Sequence, residues 1–299
     1  MTRAQANLLL LLAGAIWGAG FIAQSTAMES LGPMWFIGLR FALATLVALP
    51  VALWENRRAT QPVRRSDLAG FVAIGLALFA GAGSQQIGLL TTSVTNSGFL
   101  TGLYVVFTPI LTVFFLRRRP HWVIWPAACM ATAGIFLLSG GSLAALTVGD
   151  MLTIVCAVFW SIQMILVGVY AVRSGRPGTL SLVQFAVCAV FGCMFGAIFE
   201  PISLAAIQGA LAEILYAGLF SSGFAFILQN VAQRYTTAPQ AAIFLSSEAL
   251  FAALFGVLLL GERIGPAGYV GCAVIFAAML AVELVPGLFS GRRKLAAEA

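Results

Sequence analysis

The chain has 299 residues, of which 61% are hydrophobic and 9% are charged. Soluble domains carry about a quarter charged residues, so this composition excludes a soluble protein and predicts an integral membrane protein. The formal net charge is +6, which could indicate a nucleic-acid partner. The positions of the basic residues argue against one.

Apolar windows of about twenty residues, the length that crosses roughly 30 Å of hydrocarbon as a helix, predict ten transmembrane spans. Arg3 precedes the first, which we interpret as an uncleaved helix rather than a signal peptide because nine more follow. Only short connections remain, so no soluble domain is left to hold an enzyme. Spans 1 to 10 are predicted at 7–28, 33–53, 68–90, 94–116, 121–139, 150–170, 180–200, 210–232, 237–260 and 265–285.

The basic residues collect on one side of these spans. With a cytoplasmic N-terminus, Arg263 alone falls outside and Arg40 alone falls within a span. This positive-inside bias predicts that both termini are cytoplasmic, and it accounts for the basic excess without nucleic acid. The inner residues are Arg3, Arg57, Arg58, Arg64, Arg65, Arg117, Arg118, Arg119, Arg173, Arg176, Arg234, Arg292, Arg293 and Lys294.

No cofactor or metal is expected. The chain has no GxxxxGK[ST] stretch, which excludes an ATP-driven pump of that kind, and its lone His121 lies in a basic loop. The cysteines lack the paired spacing of metal sites and are interpreted as small packing residues. They are Cys129, Cys156, Cys188, Cys193 and Cys272.

A shift of 143–145 residues lays one half of the chain on the other. This order of matches predicts a duplication, with repeats at 1–145 and 146–299, the second including a short cytoplasmic tail. Five spans per repeat is an odd number, so the second repeat is inverted in the membrane, as in secondary transporters. The matches are Trp17 with Trp160, Pro33 with Pro177, 40–42 with 184–186, Gln85-Gln86 with Gln229-Asn230, and Thr91-Thr92 with Thr236-Thr237.

The segment LLLGERIGPAGYVGCAVIFAAML at 258–280 and the LRFALA run at 39–44 resemble the EamA branch of the drug/metabolite transporter superfamily, closest to YddG-type amino-acid exporters. The resemblance implies a bacterial inner-membrane carrier with a central cavity lined by spans 1, 3, 4, 6, 8 and 9. One difference is that span 4 reaches its RRR sequence about one turn earlier than span 9 reaches LGER. The expected fold is all-α: ten transmembrane helices in two inverted five-helix repeats around a central cavity.

Tryptophan usually gathers at membrane interfaces, yet one lies in the middle of span 1 and another in the middle of span 6. Each shares a helix face with aromatic, sulfur or amide side chains. Such a wall suits an organic substrate with an apolar part, and plain packing between helices is the alternative. The candidate cavity residues are Trp17, Phe21 and Gln24 in span 1 and Trp160, Gln163 and Met164 in span 6.

Ionisable residues inside a span are costly and mark a pathway or a buried partner. Glu248 lies mid-span, with Phe244 and Ser247 on its helix face. It is interpreted either as a cavity carboxylate that meets an ammonium group or a proton, or as a structural acid bonded to another helix. Arg40 lies about seven residues from the outer end of span 2, so a structural role or snorkelling is favoured for it.

Further polar residues lie in spans 3, 4 and 8. The amides either line the cavity or bond neighbouring helices, and Pro109 should bend span 4, as a gate hinge or as a fixed kink. The remaining cavity candidates are Gln85, Gln86, Asn96, Phe99, Tyr104, Gln229 and Asn230.

Spans 5 and 10 are poor in polar residues and contain Gly134, Gly268 and Gly271. Small residues allow helices to approach closely in membranes. These spans are therefore expected to provide packing surfaces or a homodimer interface.

The organisation favours a secondary transporter that works by alternating access. The resemblance implies that it exports small organic metabolites, namely aromatic or other neutral amino acids. The spans contain no lysine and only one arginine, which argues against phosphorylated substrates. The alternative is a proton-coupled exporter of cationic drugs, in which Glu248 would carry the proton. A channel or scaffold fits an inverted repeat less well.

Overall fold

The computed structural model describes residues 1–92, 94–138, 147–260 and 264–297, and these residues form helices without any strand. Nine helices in this part of the chain are long and apolar enough to cross a membrane, and Ile124–Leu138 is a shorter apolar helix at the predicted fifth span. The predicted all-α membrane fold is confirmed. The LGER residues 261–263 lie outside the described ranges.

The helices follow the predicted spans. Spans 2 and 7, one in each half, begin with a proline, Pro33 and Pro177. The missing N–H of proline costs nothing there, because the first N–H groups of a helix have no partner within the helix. A short helix, Leu204–Gly209, precedes span 8. Spans 1 to 10 comprise Arg3–Ala27; Pro33–Arg58; Arg65–Gly88; Val94–Thr101 with Tyr104–Leu116; Ile124–Leu138; Val148–Ser174; Pro177–Phe199; Leu211–Tyr216, π-helical Ala217–Phe224 and Ala225–Ala232; Ala238–Leu245 with Ser247–Leu260; and Pro266–Ala297.

Helix caps recur at equivalent places in the two halves. The Glu200 carboxylate at the end of span 7 accepts from the backbone N–H of Met34 at 2.9 Å. Glu55, at the end of span 2, accepts from the backbone N–H of Gly178 at 2.8 Å. Each acid thus satisfies free donors at the start of the other helix. Spans 2 and 7 therefore run antiparallel, as an inverted repeat requires, while the exact boundaries 1–145 and 146–299 remain a prediction.

The glycines of spans 5 and 10 bring these helices together within one chain. A Cβ atom added to Gly271 would lie 2.5 Å from the Gly134 carbonyl oxygen, and one added to Gly134 would lie 2.6 Å from an Ile275 side-chain carbon. An added Cβ at Gly268 would meet Ile264. Close packing inside the chain accounts for Gly134 and Gly271, and a homodimer through spans 5 and 10 remains a prediction.

Span 4 is interrupted at Gly102 and Leu103, six residues before Pro109. The N–H groups of Val105 and Val106 bond to carbonyls only three residues back, where the helix starts again after the interruption. Proline lacks an N–H, and its ring crowds the carbonyl four residues earlier, which here is that of Val105. Pro109 itself lies in the continuous helix Tyr104–Leu116. Its role as a gate hinge remains a prediction.

Candidate functional site

A cavity with an empty volume of about 570 Å³ lies between the two halves. Spans 1, 3, 4, 6, 8 and 9 all contribute to its wall, and span 2 contributes Arg40 in addition. The lining residues are Trp17, Phe21, Gln24, Arg40, Gln85, Thr101, Tyr104, Trp160, Met164, Ser221, Ser222, Phe226, Gln229 and Glu248.

Nine of the sixteen cavity candidates are on this wall, and the other seven are not. The amides among the seven bond to neighbouring helices instead. Gln86 Nε2 donates to the Gln24 carbonyl at 2.9 Å, and Asn230 Nδ2 donates to Ser181 Oγ at 2.8 Å. The residues outside the wall are Gln86, Asn96, Phe99, Gln163, Asn230, Phe244 and Ser247.

Four more of the seven, Asn96, Phe99, Phe244 and Ser247, also lie away from the cavity. Asn96 hydrogen-bonds the Asp150 side chain, and Phe99 packs on Phe136 with ring centroids 5.5 Å apart. Ser247 is fully buried against Gly14 of span 1. Phe244 faces a separate groove. A helix turns by about 100° per residue, so close sequence neighbours of a lining residue are directed elsewhere.

Gln163 belongs to a buried amide network in the half of the membrane nearer the N-terminus. Its Nε2 donates to Gln184 Oε1 at 3.2 Å, and its Oε1 accepts from Gln229 Nε2 at 3.2 Å. Gln229 Nε2 also donates to Gln233 Oε1 at 3.0 Å, and Gln233 Nε2 donates to the Met164 carbonyl at 3.0 Å. The network ties spans 6, 7 and 8 together beneath the cavity.

Arg40 lines the cavity although it is 4% exposed. Its Nη1 donates to Gln24 Oε1 at 3.0 Å, and its guanidinium carbon lies 5.2 and 5.1 Å from the ring centroids of Phe36 and Phe41. Its Nε has no hydrogen-bond partner among the described residues. Within the described ranges no carboxylate lies within salt-bridge distance of Arg40. The Arg40 guanidinium is therefore a buried cation that is held by Gln24 and two phenylalanine rings, without a partner anion among the described residues.

Glu248 follows a turn at Ser246 that interrupts span 9, and its carboxylate is also buried at the cavity. Tyr104 of span 4 donates its hydroxyl hydrogen to Glu248 Oε1 at 3.1 Å. Within the described part of the chain, Glu248 has no ion-pair partner. The cavity thus holds one positive and one negative side chain that are not paired with each other.

Span 1 approaches Glu248 through two glycines four residues apart. A Cβ atom added to Gly18 would lie 2.7 Å from the Glu248 carbonyl oxygen and 2.7 Å from the Ala252 nitrogen. Added to Gly14, it would lie 2.3 Å from Ser247 Oγ. Only small residues allow two transmembrane backbones to lie this close, and this contact sets where Glu248 stands relative to Trp17.

We expect Gly18→Ala to lower the free energy of unfolding by about 1–3 kcal/mol, the usual cost of overpacking, and to reduce transport. The added methyl group meets backbone atoms of span 9, which cannot move aside like a side chain. The control is Gly98→Ala in span 4, because a Cβ there would have no atom of the described residues within 4 Å. Thermal unfolding in detergent and transport in proteoliposomes measure both. Equal melting temperatures for the two variants would contradict the expectation.

The apolar side of the cavity is an aromatic cluster. The Phe226 ring centroid lies 4.9 Å from Trp17 and 5.5 Å from Trp160, and the two tryptophans are 6.5 Å apart. Trp17 Nε1 donates to the Ser221 carbonyl at 2.8 Å, within the π-helical segment of span 8. Packing and cavity lining, posed as alternatives for the tryptophans, therefore occur together.

Four lining residues are not among those predicted from the sequence: Thr101, Ser221, Ser222 and Phe226. The Ser221-Ser222 pair in the middle of span 8 is a readable signal, because two adjacent hydroxyls seldom lie in an otherwise apolar span. Phe226 gave no signal, since a phenylalanine is ordinary anywhere in a membrane helix. The π-helical turn that carries the serines is a feature often found at functional sites.

A model of the EamA-like transporter family matches residues 4–140 and again residues 147–284. An uncharacterized transporter of Archaeoglobus fulgidus is 31% identical, with 94% of this chain and 87% of the relative covered. YwfM of Bacillus subtilis, also called an uncharacterized transporter, is 26% identical, with 94% of each chain covered. YedA of Escherichia coli, an uncharacterized inner membrane transporter, is 24% identical, with 93% and 90% covered.

A solved crystal structure of another protein superposes with a TM-score of 0.79, covering 95% of this chain and 98% of that one. The two sequences are 18% identical. At this identity the likeness concerns the fold alone.

Proposed function

Because the chain belongs to the EamA-like transporter family, we propose that it is a secondary transporter that exports neutral amino acids, aromatic ones included, by alternating access. In this proposal its place is the inner membrane of a bacterium, like that of the Escherichia coli relative, which is named an inner membrane transporter. Both termini are cytoplasmic in this proposal, in keeping with the positive-inside bias.

One observation carries the proposal: a buried cation and a buried carboxylate share one cavity without pairing. Arg40 and Glu248 both line it, and neither has an ion-pair partner in the described residues. A zwitterion with a carboxylate and an ammonium group satisfies both. The planar guanidinium binds the carboxylate through charge-assisted hydrogen bonds, and Glu248 accepts from the ammonium group.

The aromatic cluster of Trp17, Trp160 and Phe226 supports a neutral amino acid in particular. Aromatic rings offer a large apolar surface with little conformational freedom to lose. A neutral side chain would lie against these rings while the two charged residues hold the backbone groups of the substrate. A charged side chain would find no further counter-ion among the lining residues.

Alternating access is supported by the unequal state of equivalent positions in the two halves. Gln184 matches Arg40 in the repeat, yet Gln184 is fully buried in the amide network, whereas Arg40 faces the cavity. In the proposal, the conformation described is closed on the N-terminal side by that network. The network opens when the first half takes up the corresponding closed arrangement around Gln24 and Arg40.

The alternative, export of cationic drugs coupled to protons, fits the cavity less well. A lipophilic cation would suit Glu248 and the aromatic rings, but it would also meet the Arg40 guanidinium in the same cavity. Like charges close together in a poorly hydrated site repel strongly. The second charged residue therefore argues for a zwitterion.

The test is counterflow in proteoliposomes, with a panel of neutral amino acids, their decarboxylated amines and lipophilic cations, each with and without a pH gradient. We expect saturable exchange of amino acids and weaker exchange of the amines that lack the carboxylate. Saturable exchange of lipophilic cations without any amino-acid exchange would overturn the proposal. Unsaturable flux would indicate a channel and overturn it as well.

A further inference from the structure

A second groove lies on the lipid-facing side of spans 1 and 10, separate from the central cavity. Its empty volume, including space open to the surroundings, is about 790 Å³. Leu8, Phe276 and Leu280 line it and are exposed at 64%, 56% and 44%, respectively. Exposed leucine and phenylalanine alone mean only contact with lipid. The polar end of the groove distinguishes it.

That polar end contains Asn7 and Glu283. Asn7 Nδ2 and Gln240 Nε2 both donate to Glu283 Oε2, at 2.6 and 3.2 Å. Arg3 Nε lies 3.7 Å from the same oxygen, and Arg3 also donates to Gln240. The cluster joins spans 1, 9 and 10 at the end of the groove nearer the N-terminus.

Asn7 has an unsatisfied acceptor. The residue is 4% exposed and lines the groove, yet its Oδ1 has no hydrogen-bond partner in the described structure. A buried polar atom left without a partner is costly. The neighbouring groups Asn7 Nδ2 and Gln240 Nε2 are already donating to Glu283. Asn7 Oδ1 is enclosed, whereas the neighbouring Glu283 side chain is 30% exposed and open to a donor from outside the chain.

We propose that this groove binds a phospholipid whose headgroup carries a primary ammonium, that is, phosphatidylethanolamine. The ammonium donates to the Glu283 carboxylate and, when the Asn7 side chain turns toward the groove, to Asn7 Oδ1. The phosphate lies near the Arg3 guanidinium, and an acyl chain follows the apolar groove. Acceptors for an ammonium group next to the basic residue Arg3 complement a zwitterionic headgroup. A choline headgroup has no N–H to donate, and a glycerol headgroup brings no cation to Glu283.

The depth of these groups agrees with a lipid. Arg3 and Glu283 lie toward the ends of spans 1 and 10 that face the same membrane surface, and the apolar lining residues Leu11 and Phe276 lie one to two turns deeper. A headgroup at the interface with its chain directed to the bilayer centre has the same order. Phe244 of span 9 also lines the groove, so the lipid would brace three helices.

The experiment measures lipid binding to the purified full chain by native mass spectrometry. The lipids are phosphatidylethanolamine, its mono- and dimethylated forms, phosphatidylcholine and phosphatidylglycerol, all with identical acyl chains. We expect ethanolamine lipid to bind at least tenfold more tightly. Binding should weaken as methyl groups replace the N–H donors one by one. Equal binding of the two lipids, or tighter binding of phosphatidylglycerol, would overturn the proposal.

Two variants locate the site. Asn7→Ala and Glu283→Gln are each expected to abolish the ethanolamine preference, and Glu213→Gln, an acid at the start of span 8, is expected to retain it. Melting temperatures in phosphatidylcholine alone identify any variant that is misfolded. If both groove variants fold and keep the preference, the lipid binds elsewhere and the proposal fails. Lipid binding is measured without transport, so failure of the lipid proposal would leave the proposed transport function unaffected.

Discussion

Arg40→Gln is expected to lower kcat/KM for neutral amino acids by at least about 30-fold, the equivalent of about 2 kcal/mol. The substitution removes the cation of the cavity while keeping an amide that can still bond Gln24. In the proposed complex, the substrate carboxylate would then enter a largely apolar cavity without a counter-charge. Transport rates in proteoliposomes over a range of substrate concentrations measure the loss.

Comparing transport of an amino acid with that of its decarboxylated amine distinguishes a role of Arg40 in substrate recognition from a purely structural role. The wild-type protein should prefer an amino acid over its decarboxylated amine, and Arg40→Gln should lose this preference because only the amino acid brings a carboxylate to position 40. Arg58→Gln, at the other end of span 2 and stacked on Trp54, serves as the control. If folded Arg40→Gln protein kept the preference, Arg40 would only brace Gln24 and its flanking phenylalanines.

The fold could be predicted because a membrane places a simple demand on sequence. Each span must be apolar for about twenty residues, and Pro33 and Pro177 mark where two of the helices begin. Glu55 and Glu200 are 145 residues apart, which matches the offset between the two halves. Their capping role was not predicted, because acids at helix ends near the membrane surface are common and only the contacts show what these two do.

The site could be predicted where a residue type is out of place. Trp17, Trp160 and Glu248 lie at a depth where tryptophan and glutamate are rare, and all three line the cavity. For Arg40, depth along span 2 and a place in the LRFALA run both favour a structural role. Its position near the outer end of span 2 does not reveal that the cavity extends toward that end.

The choice between adjacent amides could not be made from sequence. Gln85 lines the cavity and Gln86 bonds span 1, while Gln229 lines it and Asn230 bonds span 7. Neighbouring residues differ by about 100° around a helix. An apolar span has no polar face to set its rotation, so only packing against the other helices decides which amide faces inward.

The interruptions of the helices were equally beyond sequence reasoning. Spans 4, 8 and 9 depart from regular α-helix at Gly102, at Ala217–Phe224 and at Ser246. All three departures lie beside lining residues. Irregular backbone is tolerated at membrane depth only where protein or a cavity satisfies its polar groups. The structure places these segments where a carrier would need polar backbone.

Glu248→Gln is expected to lower amino-acid exchange by at least about 30-fold as well, because the ammonium group of the substrate loses a charged acceptor. Tyr104→Phe removes only the hydroxyl that bonds Glu248, and should cost about tenfold, in line with one hydrogen bond to a charged group. Glu213→Gln is the control for loss of an acid outside the cavity.

The two roles of Glu248 differ in which kind of flux survives the substitution. If Glu248 binds the substrate ammonium, Glu248→Gln loses exchange at equal pH on both sides of the membrane as well as gradient-driven uptake. If it only carries a proton, exchange at equal pH persists and the response to a pH gradient disappears. Measuring both fluxes in one preparation separates the roles. Wild-type exchange with an unchanged pH response in folded Glu248→Gln protein would leave Glu248 a structural acid that bonds Tyr104.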